Sequence, residues 1–240
     1  MELSQILQHH LYSCTMNDEL IELYTKVDHE YGPLLEEFNS RPEDSECFTN
    51  PFYAVVSEAF VKARNRIIIL GQETNTWGGE FGDDGAYHRS NTVNDLCKLY
   101  DLYINHRNQS SGQYWNYCHY LEETASKNAG FFFFNTAFVG KCGRTGYIEK
   151  LQPKILSEVF EIVRPNLAIF LCGPNYDSLI KSNFGDSTCF TQATYCFTTR
   201  QFARIEGVGI PAYRCYHPGY LYRATSLREA FEKVIFPMIQ

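Results

Sequence analysis

The fold of this chain is decided by the segment RIIILGQETN, residues 66–75. Its apolar run at 67–70 is short, rich in β-branched residues and closed by Gly71, which is typical of a buried parallel strand. Polar residues follow immediately, at a point where side chains can meet a ligand. Because parallel strands are covered on both faces, the segment predicts a central strand between two layers of helices.

The same pattern recurs three times along the chain. Apolar runs at 131–134, 167–171 and 210–216 end in Asn135, Gly173-Pro174 and His217-Pro218 respectively. Stretches with helical spacing separate or follow these runs, at 112–127, 149–163, 174–183 and 223–236. Strands alternating with helices predict an α/β protein with three α/β/α layers and a central, mainly parallel four-stranded sheet.

The length of 240 residues is typical of one domain, and we expect a single domain over residues 1–240. Within it, residues 1–50 are interpreted as an N-terminal helical extension and residues 51–240 as the core. The segment 52–64 also has helical spacing and ends in basic residues, so it is predicted to be a helix that leads into the first strand.

The composition excludes several classes of protein. No apolar run reaches the roughly 18 residues of a membrane span, and the acidic, polar N-terminus is unlike a signal peptide. The nine cysteines are odd in number, scattered and never spaced C-x-x-C, so we expect reduced thiols in a cytoplasmic protein. No metal, no cofactor and no obligate protein partner is expected from these patterns.

The formal net charge of −7 argues against nucleic acid as a partner, since Lys and Arg contacts to phosphate supply much of the affinity for DNA. A local basic patch on an acidic body would remove this objection. The sequence leaves open whether the following basic residues form a phosphate-facing rim or are scattered: Lys141, Arg144, Arg200, Arg204, Arg214, Arg223 and Arg228.

The polar residues at the strand ends suit hydrolysis of a glycosidic bond. Ligands of open parallel sheets bind outside the carboxyl ends of the strands, where Glu73, Asn135 and His217 are predicted to meet. A carboxylate can stabilise a cationic sugar and orient water, and an imidazole can stabilise the departing base. An amide can read the edge of that base.

The three motifs resemble those of uracil-DNA glycosylases. GQETN after RIIIL resembles their Gly-Gln-Asp-Pro-Tyr motif, and FFFFNTAF resembles their apolar strand ending in a base-reading Asn. YHPGYLYR resembles their His-Pro-Ser motif with its DNA-inserting loop. The order and rough spacing of the motifs agree, and the resemblance extends over residues 52–236.

This resemblance implies DNA as the partner and assigns roles to the motif residues. Gln72 would bind the extruded nucleotide, Glu73 would act on water or the cationic sugar, and Asn135 would recognise the pyrimidine. His217 would stabilise the departing base. The DNA-inserting loop would comprise Gly219, Tyr220, the wedge Leu221 and the phosphate contact Arg223.

Departures from the family pattern suggest an enlarged substrate. Asn75 stands where the family has a Tyr that closes the pocket against a 5-substituent. Gly219 replaces Ser, Thr74 replaces Pro, and Glu73 is one methylene longer than the family's Asp. The hypothesis is therefore that the protein is a DNA glycosylase. Its substrate would be a modified pyrimidine, such as a 5-substituted cytosine in foreign DNA, or uracil.

The glycine-rich segment 76–90 is predicted to be a loop beside the same site. Trp77, Phe81 or Tyr87 would stack on the flipped base, and Asp83 and Asp84 compete with Glu73 as the catalytic carboxylate.

Each motif also has a structural interpretation. Glu73 alone suits a helix cap, Asn135 and His217 suit turns, and Leu221 suits an ordinary apolar position. The motifs contain no Lys, so the resemblance implies a monofunctional enzyme that uses water. Two alternatives stay open at this stage, a non-catalytic nucleic-acid or nucleotide sensor and a hydrolase of small nucleosides.

Overall fold

The computed structural model describes residues 3–40, 48–74, 77, 91–106, 112–142 and 146–240, with the backbone alone for 3–14 and 106. The strands of the sheet are β1 (Asn65–Gly71), β2 (Ala129–Asn135), β3 (Leu167–Phe170), β4 (Cys189–Gln192), β5 (Phe202–Glu206) and β6 (Ala212–Cys215). The helices are α1 (Leu3–Asn39), α2 (Glu58–Lys62), α3 (Val93–His106), α4 (Gln113–Thr124), α5 (Leu156–Val163), α6 (Asp177–Phe184), α7 (Pro218–Leu221) and α8 (Thr225–Ile239). Single 3₁₀ turns lie at Glu149–Leu151 and Pro174–Tyr176.

The α/β class is confirmed, but the sheet is larger than the sequence predicts. Its six strands lie in the order β2-β1-β3-β6-β5-β4. The four strands β2, β1, β3 and β6 pair in parallel, whereas β5 and β4 are antiparallel additions beyond β6. The prediction of four strands is therefore wrong in number, and the sheet is mixed.

The two missed strands carry little of the signal that marks the other four. β4 has the sequence CFTQ, of which only Phe190 is not fully exposed, and it lies at the edge of the sheet. β5 is interrupted by the exposed Arg204 between the buried residues Ala203 and Ile205, as occurs on an antiparallel sheet margin. A continuous apolar run is the sequence pattern that predicts the other four strands, and neither β4 nor β5 has such a run.

Alternate side chains of the parallel strands enter two separate cores. Ile68, Leu70 and Phe134 pack with described residues of α1, α2, α3, α5 and α6. Ile67 and Ile69 pack on the opposite face with residues of α4, α7 and α8. The sheet is thus covered by helices on both faces, in the three predicted layers.

The predicted helix over 52–64 is mostly wrong, since α2 covers only Glu58–Lys62. Residues 52–57 are not helical, and the backbone of Val56 is bonded to the side chain of Asn17 in α1 through both its N–H and its carbonyl. Ser57 then starts the helix by accepting the N–H of Phe60. A contact from a distant part of the chain overrides the local helical pattern.

Candidate functional site

A polar cavity of about 480 Å³ lies beyond the carboxyl ends of β1, β3 and β6. Its walls come from residues at these strand ends, from α4 and α7, and from the connection between β4 and β5. The polar side chains that line it are those of Gln72, Gln113, Asn175, Arg200, His217 and Arg223. Its volume lies in the range of about 300–1,000 Å³ found for small-ligand sites.

Gln72 lines this cavity directly after β1. Its Nε2 donates to the carbonyl of Cys172 at 3.1 Å, which ties the side chain to the end of β3. The backbone carbonyl of Gln72 accepts the N–H of Ala137 at 2.8 Å. The side-chain amide is therefore held through one N–H, while its oxygen and second N–H stay available to hydrogen-bond a ligand.

His217 lines the same cavity after β6 and is fixed in one orientation. It caps α7, and its Nδ1 accepts the N–H of Gly219 at 3.1 Å. Its ring lies nearly parallel to that of Tyr114, at 16° and 5.9 Å between centroids. Burial lowers the pKa of His217, so the ring is neutral near pH 7 with its proton on Nε2.

Asn135 ends β2 in register with Gly71 at the end of β1. A Cβ atom on Gly71 would lie 2.7 Å from Oδ1 of Asn135 and 3.1 Å from the ring of Tyr114, so only glycine admits both side chains here. Asn135 is buried and is not among the described residues that line the cavity. The ring of Tyr114 lies against Gly71 and stacks on His217.

Glu73 is adjacent to Gln72 in the chain, but its carboxylate is engaged elsewhere. One oxygen accepts the N–H of Gly146 at 2.9 Å, and the other accepts the hydroxyl of Tyr176. Burial raises the pKa of Glu73 to about 7, against the opposing effect of the Gly146 hydrogen bond. Of the described residues, Glu73 is not one that lines the cavity, although Tyr176 directly follows the lining residue Asn175.

Of the residues predicted to stack on the base, the structure describes only Trp77. Trp77 is half-buried and packs against Phe52 at 4.9 Å and Tyr103 at 5.6 Å between ring centroids, away from the cavity lining. The other predicted residues of this region lie outside the described residues, namely Asn75, Phe81, Asp83, Asp84 and Tyr87.

The predicted DNA-inserting loop forms the short helix α7. Leu221 is fully buried in the core beneath the sheet, whereas Tyr220 is 45% exposed beside it. Gly219 lines the cavity, and a Cβ there would lie 2.7 Å from Oε1 of Gln113. Arg223 is exposed, and its Nε donates to the carbonyl of Gly219 at 3.1 Å. Leu221 is therefore not presented at the surface, and Tyr220 is the exposed aromatic side chain of α7.

The comparisons with known proteins give no family. No protein-family model matches this chain, and no curated protein or solved structure matches it significantly. No helix in the described ranges is long and apolar enough to cross a membrane. Nor do His, Cys, Asp and Glu side chains in those ranges form a group of three or more that could hold a metal ion.

Sequence reasoning assigned no role to Gln113 or Asn175, and it left Arg200 among the basic residues that form either a phosphate-facing rim or scattered charges. Gln113 starts α4, Asn175 follows β3, and Arg200 lies between β4 and β5. Asn175 was within reach of the strand-end rule, because it follows the end of β3. Gln113 and Arg200 carry no local signal, since both reach the cavity from elements outside the parallel strand ends.

Proposed function

We propose that this protein is a monofunctional DNA glycosylase that accepts a base swung out of DNA and hydrolyses its bond to the sugar. The proposed substrate is a modified, enlarged pyrimidine or uracil, and the product is an abasic site. We place this activity in the cytoplasm. The chemistry needs water and no organic cofactor.

One observation carries the proposal, the meeting of Gln72 and His217 in one cavity with two arginines. Gln72 follows β1 and His217 follows β6, and β3 separates these strands in the sheet. Arg200 and Arg223 add positive charge to the same lining. An amide for a base edge, an imidazole and guanidinium groups for phosphate are the groups that a nucleotide requires.

His217 suits the stabilisation of a departing base. When water attacks the sugar at C1′, the C1′–N bond breaks and its electron pair leaves with the base. Because Nδ1 of His217 accepts from Gly219, the neutral ring presents an Nε2–H donor. A preorganised donor can stabilise the negative charge that develops on the base oxygen.

A carboxylate must orient the water and take up its proton. Glu73 can do so only in its ionised form, and its pKa of about 7 leaves that form substantially populated at neutral pH. Each of its oxygens accepts one hydrogen bond in this structure, so water would use the remaining lone pairs. Asp83 and Asp84 are the alternative carboxylates.

The deciding experiment incubates the protein with DNA strands that carry uracil or 5-substituted cytosines, followed by alkaline cleavage of abasic sites. We expect strand cleavage with the wild type and a loss of about a hundredfold or more in rate for His217→Ala and for Glu73→Gln, with binding retained. His119→Ala is the matched control, because His119 is half-buried on α4, lies 3.3 Å from Glu123 and does not line the cavity. No cleavage of any strand by the wild type would refute the proposal.

A non-catalytic nucleotide sensor is the second candidate, and the engagement of Glu73 favours it. Both oxygens of that carboxylate are held by Gly146 and Tyr176, outside the cavity lining. A sensor would bind nucleotides or DNA without turnover, and Glu73→Gln would leave binding unchanged. Replacing Asp83 and Asp84 by Asn, one at a time, identifies the carboxylate if cleavage occurs but survives Glu73→Gln.

A further inference from the structure

Two arginines stand in the cavity of an otherwise acidic chain. The formal net charge of the chain is −7, yet Arg200 and Arg223 both line the cavity. Within the described part of the chain, neither of them forms an ion pair with a carboxylate. Arg200 acts electrostatically on the nearby carboxyl of Asp177 without forming an ion pair, and both arginine side chains are exposed enough to reach an anion in the cavity.

The backbone that carries Arg200 is fixed by a closed turn. The N–H groups of Gln201 and Phe202 both donate to the carbonyl of Thr198, at 2.9 and 3.0 Å. The side chain of Gln201 in turn accepts the N–H and the hydroxyl of Thr198, each at 3.1 Å. Arg200 thus projects from a braced turn that leads directly into β5.

A second, buried arginine supports this turn from the sheet. Arg214 on β6 is fully buried, and it donates to the carbonyls of Arg200 at 2.9 Å and Thr199 at 2.6 Å. Its Nε and Nη2 also donate to the two carboxylate oxygens of Asp177, at 2.9 and 3.1 Å. These bonds satisfy the buried guanidinium, which would otherwise be costly to hold in the core.

The same contacts join two walls of the cavity. Asp177 begins α6 directly after the turn Pro174–Tyr176, whose first two residues line the cavity. Arg214 therefore couples this wall to the wall that carries Arg200. A fork-shaped guanidinium holds its carboxylate and carbonyl partners in a fixed geometry, so the backbone from which Arg200 projects is set before any ligand binds.

From these contacts we propose that Arg200, together with Arg223, forms a phosphate subsite for the nucleotide in the cavity, and that Arg214 positions Arg200 for this task. The identity of the ligand as a nucleotide rests on the proposed function. The ligand chemistry is a phosphate attached to the bound nucleoside, in DNA or in a free nucleotide. Guanidinium groups match phosphate oxygens in pairs, which suits a site with two of them.

The test compares wild type, Arg200→Ala and Arg200→Lys, with Arg204→Ala as the matched control. Arg204 lies on β5, is exposed, is paired with Glu206 at 3.0 Å and does not line the cavity. Binding of a short fluorescein-labelled single-stranded oligodeoxynucleotide is measured by anisotropy. Deoxyuridine and its 5′-monophosphate are then compared as competitors.

If the subsite serves DNA, we expect Arg200→Ala to weaken oligonucleotide binding about tenfold, with an intermediate loss for Arg200→Lys. If it serves a free nucleotide, the monophosphate competes better than the nucleoside, and Arg200→Ala removes this advantage. Arg204→Ala should match the wild type in both arms.

The subsite is refuted if Arg200→Ala matches the wild type in both arms, or if the wild type binds neither ligand. Failure of the proposed function is seen separately, in the alkaline cleavage assay. Arg200-dependent binding without cleavage retains the phosphate subsite and removes the glycosylase proposal. Cleavage without any effect of Arg200→Ala on binding retains the glycosylase proposal and removes the phosphate subsite.

Discussion

At the scale of single residues, Gln72 and Glu73 show that the side chains of two neighbours at a strand end can have different surroundings. Gln72 lines the cavity, whereas Glu73 is bonded to Gly146 and Tyr176. Successive side chains of an extended strand point in opposite directions, so two adjacent residues at a strand end can enter different surroundings. The sequence placed both residues at the strand end correctly, but it did not separate their directions.

The raised pKa of Glu73 gives a stability prediction that is independent of function. A carboxyl with a pKa of about 7 when folded and 4.5 when unfolded takes up a proton on folding between these values. Its contribution to stability is therefore largest below pH 4.5 and is lost as the pH rises through 7. Glu73→Gln resembles the protonated form and should escape this loss.

We expect the free energy of unfolding of Glu73→Gln, relative to wild type, to rise by about 2 kcal/mol between pH 5 and pH 8. Urea unfolding at the two pH values measures this difference. A difference that stays constant or falls with pH would show that Glu73 is not protonated more readily in the folded protein.

At the scale of elements, the antiparallel pair β4 and β5 changes the site most. These strands extend the sheet beyond β6, and the turn between them brings Arg200 to the cavity. From the sequence alone, Arg214 is one of the basic residues that form either a phosphate-facing rim or scattered surface charges. Its place on the buried strand β6 instead makes it the support of that turn.

Loss of the partner of Arg214 should destabilise this region strongly. Asp177→Ala would leave the buried guanidinium without its carboxylate, and we expect a loss of about 3 kcal/mol in the free energy of unfolding. Asp186→Ala, at an exposed position after α6, should change stability by less than about 0.5 kcal/mol. Chemical denaturation of both variants checks this, and equal effects would show that the Arg214–Asp177 pair does not stabilise the fold.

At the scale of the whole molecule, the parallel arrangement of β2, β1, β3 and β6 collects the ends of four chain segments at one edge. The charge balance limits what this edge can bind. With a net charge of −7 and two arginines among the described residues of the cavity lining, the proposed contact with DNA involves few phosphates. Contact with one extruded nucleotide and its neighbouring phosphates suits this balance better than contact along a duplex.

The salt dependence of oligonucleotide binding should reflect these few contacts. Each phosphate contact on a single strand contributes a slope of about −0.7 to log K against log salt, so two arginines predict a slope of about −1.4. Anisotropy titrations at several KCl concentrations measure it. A slope steeper than about −4 would indicate an additional basic surface that contacts many phosphates.

The sequence by itself determined the α/β class, the four parallel strands and the residues at their ends. Apolar, β-branched runs closed by polar residues are local patterns, and they are sufficient to mark buried parallel strands. The late start of α2 and the strands β4 and β5 were not predicted, because they depend on contacts with distant segments, such as the one between Asn17 and Val56.

Only the tertiary structure decided which polar residues share the cavity. It placed Arg200 in one cavity with Gln72 and His217. Arg200 reaches this cavity from the turn between β4 and β5, which is held by the guanidinium of Arg214, 14 residues away in the chain. The tertiary structure also engaged Glu73 with Gly146, 73 residues away. Such contacts follow from the packing of whole elements, and no local spacing of residues encodes the direction in which a side chain finally points.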